Sequence, residues 1–189
     1  MRLALLAAIS ALALTGVAAK ALAAPVSMTQ ATEYSDARLQ AFGTAMTAVR
    51  AAAPTDGSAP NAEQQAAMAA AVSSSGMDIT AFNALATAVS TDEVLQARLA
   101  VLATPESPAG SVAASVTDAE VARFRAAMVQ VRAAAPTDGS APTTGQQAAM
   151  ASAVSASGLA LDRFNAIAQA VSSDERLRAR LELADAKAD

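Results

Sequence analysis

The sequence predicts an all-α protein, built as two tandem small helical bundles of three to four helices each after an N-terminal signal peptide. Three observations carry this expectation. Roughly three residues in ten are Ala, which loses no side-chain entropy on entering a helix. Large apolar residues recur at helical spacing, and no alternating strand pattern competes with them. The chain also repeats itself: residues 36–101 align with 118–183 at a constant offset of 82, without a gap, and 41 of the 66 positions are identical. A repeat of this kind marks a duplicated structural unit.

The first 23 residues read as a signal peptide. Arg2 supplies a positive start, and Leu3 to Ala19 form an apolar run broken only by Ser10, Thr15 and Gly16. Ala21 and Ala23 then place small residues at the −3 and −1 positions of a signal peptidase site. Cutting one residue later would leave Pro25 at +1, so cleavage is expected after Ala23. An uncleaved anchor competes, because Leu3–Ala24 nearly spans a bilayer. Lys20 inside that span and the small-residue motif after it favour cleavage. No Cys follows the apolar run, which excludes a lipoprotein anchor. The expected address is periplasmic or secreted, and the fold there takes no disulfide.

Cleavage leaves 11 basic against 17 acidic residues, a net charge of −6. Such a surface repels nucleic acid and anionic headgroups. No second apolar stretch is long enough to cross a membrane. The expected layout is signal peptide 1–23, first helical repeat 31–103, linker 104–115 and second helical repeat 116–186.

Each repeat opens on a helix whose apolar residues follow i, i+3, i+7, i+10: Leu39, Phe42, Met46 and Val49, matched by Val121, Phe124, Met128 and Val131. The identical stretches "APTDGSAP" at 53–60 and 135–142 come next. Pro presets φ and Asp-Gly supplies the reversal, so the plain reading is a connection between helices. A small-ion site at the following helix N-terminus is the functional alternative. One Asp per loop falls short of the about six oxygens that calcium takes. The second helix carries Met68 and Val72, matched by Met150 and Val154. Gly76 and Gly158 follow it, where a helix end takes a left-handed residue.

The third helix carries Phe82, Leu85 and Val89, matched by Phe164, Ile167 and Val171. The last carries Leu95, Leu99 and Leu102, with Leu177 and Leu181 in the copy. Capping boxes are expected at Ser90–Glu93, Thr117–Glu120, Thr143–Gln146 and Ser172–Glu175. The stretch 103–115 holds two Pro and a Gly and breaks helical continuity. Each repeat is about 70 residues, a size at which one core is marginal. Packing of the repeats together, or self-association of the chain, would relieve this.

The stretch "SGMDITAFNALATAVSTDEVLQARL" (Ser75–Leu99) and its copy "SGLALDRFNAIAQAVSSDERLRARL" (Ser157–Leu181) resemble the signature half of the bacterial domain-of-unknown-function family 4168. The matching positions are Gly76, Phe82, Asn83, Leu85, Asp92 and Leu95, then Gly158, Phe164, Asn165, Ile167, Asp174 and Leu177. The resemblance implies an exported bacterial protein with a helical domain and no assigned activity. This chain departs in carrying two copies, and a Pro-Gly loop where others often have a long charged helix. Read from their chemistry, the same residues are scaffolding. The Phe rings belong to the core. The Asn amides would cap a neighbouring helix end or bind water. The Asp carboxylates would complement a helix dipole from the first turn.

An enzyme reading lacks its parts. Without His or Cys there is no imidazole base, no thiolate and no usual zinc ligand set. Asp92-Glu93 and Asp174-Glu175 read as helix starts rather than an inward-facing acid pair. No Gly-rich phosphate loop and no nucleophile elbow is present. The expectation is therefore no enzyme, with no catalytic, cofactor-binding or metal residue and no cofactor. Two classes survive. One is a structural or protein-interaction module of the cell envelope, its partner an unidentified protein. The other is a periplasmic binder of a small apolar ligand, lined by Met46, Met68, Met128 and Met150.

Overall fold

Side-chain caps decide where each helix of this Ala-rich chain begins. The computed structural model describes residues 34–55 and 57–188, and nine helices and no strand stand among them. The fold is all-α. The signal peptide and Asp56 of the first repeated loop lie outside the described residues. The chain divides into two compact units between Gln96 and Ala97.

In the first unit, α1 (Asp36–Ala52) starts at Ser35, whose hydroxyl accepts the Arg38 N–H at 3.2 Å. A capping box that sequence reading missed opens α2 (Ala62–Ser74): Asn61 and Gln64 each accept the other's backbone N–H at 2.9 Å. Asp78 caps α3 (Ile79–Thr91) by accepting from Ala81 N–H at 2.8 Å. Asp92 caps α4 (Glu93–Ala103), which runs across the division, by accepting from Leu95 N–H at 3.0 Å.

The second unit adds the short α5 (Val112–Ser115), capped by Ser111. The expected boxes Thr117–Glu120 and Thr143–Gln146 open α6 (Asp118–Ala134) and α7 (Thr144–Ala156). Next, α8 (Leu161–Ser173) begins at Ala160 without a side-chain cap. Asp174 caps α9 (Glu175–Ala186), accepting from Leu177 N–H at 2.7 Å. The boxes expected at Ser90–Glu93 and Ser172–Glu175 do not form. Ser90 and Ser172 still belong to the preceding helices and donate back to Thr87 and Gln169 carbonyls at 2.7 and 2.6 Å. The carboxylate two residues on takes the cap instead, being the stronger acceptor at the corner.

Each core is apolar and centred on two rings. Buried in the first unit are Leu39, Phe42 and Met46 of α1, Val72 of α2, Phe82, Leu85 and Val89 of α3, and Leu95 of α4. Phe42 and Phe82 meet with centroids 4.9 Å apart and planes tilted by 44°. In the second unit Val121, Phe124, Val154, Phe164, Ile167 and Leu177 form one cluster. Its rings, Phe124 and Phe164, meet at 4.9 Å and 41°. The same tilted contact thus recurs where Val121 and Ile167 replace Leu39 and Leu85.

The stretch 104–115, expected as a linker, carries more than a connection. Ser107 Oγ donates to Asp174 Oδ1 at 3.0 Å. Ala113 is buried in the second core, as is Val116 just after it. Two small apolar residues three apart are too short a signal for periodicity to register.

A buried ring among Ala neighbours leaves a hole that cannot collapse, so Phe82→Ala is expected to cost about 3–5 kcal/mol. That is most of the about 5 kcal/mol available to a domain of this size. Tyr34, the chain's one tyrosine, stands half-buried in the same unit with Arg38 5.7 Å from its ring centre. Urea unfolding followed by its emission checks the value, and a shift under about 1 kcal/mol would place the ring outside the core.

Candidate functional site

The twelve positions singled out by the family motif build one helix corner in each unit. Gly76 and Gly158 close α2 and α7 with φ of 72° and 73°, the left-handed conformation that only Gly takes without strain. Beside them Ser75 and Ser157 donate to the Val72 and Val154 carbonyls at 2.6 Å. Their oxygens then accept from Met77 and Leu159 N–H at 3.3 and 3.2 Å. This turns the chain into α3 and α8. Phe82 and Leu85, like Phe164 and Ile167, point into the cores.

Asp92 and Asp174 sit one residue earlier than expected, at the cap rather than in the first turn. Each ends one helix and starts the next, and Leu95 and Leu177 one turn on are essentially fully buried. These positions are spent on turning, capping and filling.

Asn83 and Asn165 are the exception. Both are exposed, where an amide meets water, the second of the two roles expected for it. Four residues before each, on the same helix face, stands an exposed large apolar residue: Ile79 at 42% and Leu161 at 62% relative exposure. Both units therefore carry an apolar knob and an amide one turn apart. Of the three residues between them, Phe82 is kept as Phe164, while Thr80 and Ala81 have become Asp162 and Arg163.

A guanidinium with several partners is a feature that sequence reading missed. Arg163 of α8 grips Glu120 of α6 with both edges of its fork, Nε to Oε1 at 2.8 Å and Nη2 to Oε2 at 3.1 Å. It also donates to the Ser115 hydroxyl and carbonyl at 3.3 and 3.1 Å. The Arg163 bonds, and secondarily the Thr117 N–H, pull the Glu120 carboxyl from its ordinary 4.5 down to about 2. Glu120 in turn raises the Arg163 guanidinium. Only the capping-box role of Glu120 was legible, since nothing local announces a partner 43 residues away.

In the second repeated loop, Asp138 Oδ1 accepts from Ser140 N–H at 3.0 Å, and bonds from Ser140 lower its pKa. Gly57 and Gly139 both stand at φ 75°. Gln65 and Gln147 tie the ends of the two loops by donating to Pro60 and Pro142 carbonyls at 2.8 and 3.0 Å. The loops are bonded as helix connections.

Among the described residues no polar or charged residue is buried, no group of carboxylates is placed to hold a metal ion, and no helix is long and apolar enough to cross a membrane. No family model matches the chain, and neither a curated protein nor a solved structure matches it.

Because the folded Glu120 carboxyl titrates below its unfolded value, its protonation favours the unfolded chain. The stabilisation is whole above about pH 4.5 and is lost as pH falls toward about 2. Glu120→Gln keeps the capping-box geometry and removes the charge. With side chains 21% and 29% exposed, the pair is expected to contribute about 1 kcal/mol at neutral pH. Unfolding free energies of the two proteins should converge between pH 4.5 and 2. A constant difference across that window would show that the ion pair does not stabilise the fold.

Proposed function

We propose that the chain is an exported helical protein of the bacterial cell envelope that acts as a structural or protein-interaction module, periplasmic or secreted, with two tandem bundles presenting equivalent surfaces. The observation that carries the reading is the repeated exposed strip, Ile79 with Asn83 and Leu161 with Asn165. The other motif positions serve turns, caps or core, and of the exposed large apolar residues Ile79, Val112, Val129 and Leu161 only Ile79 and Leu161 occupy matching positions in the two repeats. An apolar anchor beside a hydrogen-bonding group is a usual element of a protein contact.

Composition supports a non-enzymatic role. A chain without His or Cys, whose described carboxylates are capping, paired or exposed, offers neither an imidazole nor a thiolate for general-base or nucleophilic chemistry. Of the methionines that a lipophilic binder would use, Met46 is buried and Met128 packs against the second core, while Met68 and Met150 are half-buried. The resemblance to the bacterial family supports export and is silent on activity.

The test is made in the native bacterium with a photo-crosslinking residue at position 161. Mature protein beginning at Ala24 in the envelope fraction, with a discrete protein adduct at 161 but none at exposed Ser140, is the expected result. Intact Met1 in a membrane pellet would overturn export. Absence of any adduct, with a thermal shift on adding fatty acid, would favour the apolar-ligand binder.

A further inference from the structure

We infer that the second unit is the firmer half of the molecule, and that the first opens while the second stays folded. Guanidinium groups tie the second unit's elements to one another. Arg163 joins α8 to α6 and to the end of α5. Arg125 of α6 reaches Asp185 of α9 at 2.6 Å, and Arg180 of α9 reaches Asp118 of α6 at 2.6 Å. Arg176 of α9 donates to the Val101 and Thr104 carbonyls at 3.2 and 2.9 Å, covering the end of α4. Arg178 donates to the Val171 and Ser172 carbonyls at 3.4 and 3.2 Å, across the corner between α8 and α9.

The duplication supplies its own comparison. At the positions of Arg163, Glu120, Arg125, Arg176 and Arg178 the first repeat carries Ala81, Arg38, Gly43, Val94 and Gln96. Asp36 and Arg98 do match Asp118 and Arg180. Gln96 keeps a neutral version of one tie, donating to the Ser90 carbonyl at 3.3 Å. The substitutions remove the forked, charge-assisted bonds that Arg makes and Gln or Val cannot. Gly43 adds a penalty of its own, because a glycine inside α1 gives the unfolded chain more freedom to regain. An opposite difference, Asp78 capping α3 where Ala160 leaves α8 uncapped, is a bond within one turn and joins no two helices. Single surface pairs contribute little, but ties that link five helices act on the same opening event.

Hydrogen exchange followed by NMR on the full mature chain reads the difference directly. The identical segments Gln64–Ala69 and Gln146–Ala151 share nearly the same intrinsic exchange chemistry, so their rate ratio reports the ratio of opening equilibria. We expect the first segment to exchange at least about tenfold faster, about 1.4 kcal/mol of difference. The double substitution R125Q and R163Q should bring that ratio toward one. Because that variant can lose the second unit altogether, the reciprocal graft R38E with A81R should slow exchange in the first unit. Equal or inverted rates in the parent chain overturn the inference. So does a ratio that neither variant changes.

Discussion

Two phenylalanine rings in contact at 4.9 Å hold each unit together. The constraint comes from composition. Ala-rich helices bring little side-chain volume to a core, and four Phe are all the large rings the chain offers besides one Tyr. Each unit commits one ring from its 17-residue helix, α1 or α6, and one from α3 or α8, and the tilted arrangement adds about 0.5–1.5 kcal/mol beyond the area buried. Ala45 and Ala127, three residues after Phe42 and Phe124, are each 2% exposed. Around the rings the packing is close, and nothing nearby is large enough to take their place.

The corner motif serves that contact. For Phe82 and Phe164 to face the first helix, the chain must reverse after the second, which Gly76 and Gly158 permit at φ 72° and 73°. It must then turn again without losing the backbone bonds at the helix end. Asp92 and Asp174 accomplish this by ending one helix and capping the next. Leu95 and Leu177 are delivered to the core one turn on. A Gly turn, a ring, an acidic cap and a Leu form one geometric device, and its purpose is structural. The exposed Asn within it is the part the device does not explain.

Most of this architecture was legible in the sequence. Helical spacing located the Phe, Leu and Val of each core, and the gapless repeat showed that the pattern occurs twice. Turn chemistry identified the left-handed Gly positions. Local ambiguity defeated the rest. Ser90 and Asp92 are both capping residues, and only the extent of α3 decides between them. Ala113 and Val116 join the second core with too little apolar surface to stand out from an Ala-rich background. The Arg163–Glu120 contact spans 43 residues, so it follows from the packing of α6 against α8 and from no motif. The exposed strip was missed for a different reason: Ile79 and Leu161 look like core residues until the helix phase is known.

If the paired rings are the constraint on which each unit depends, their energies must be coupled. A double-mutant cycle with Phe42→Leu and Phe82→Leu in the mature chain, unfolded in urea and followed by Tyr34 emission, measures this directly. Leucine keeps each site apolar and filled, so the cycle isolates the ring–ring term. A coupling of about 0.5–1.5 kcal/mol is expected. Strictly additive effects of the two substitutions would show that the rings fill space independently, and would contradict the account.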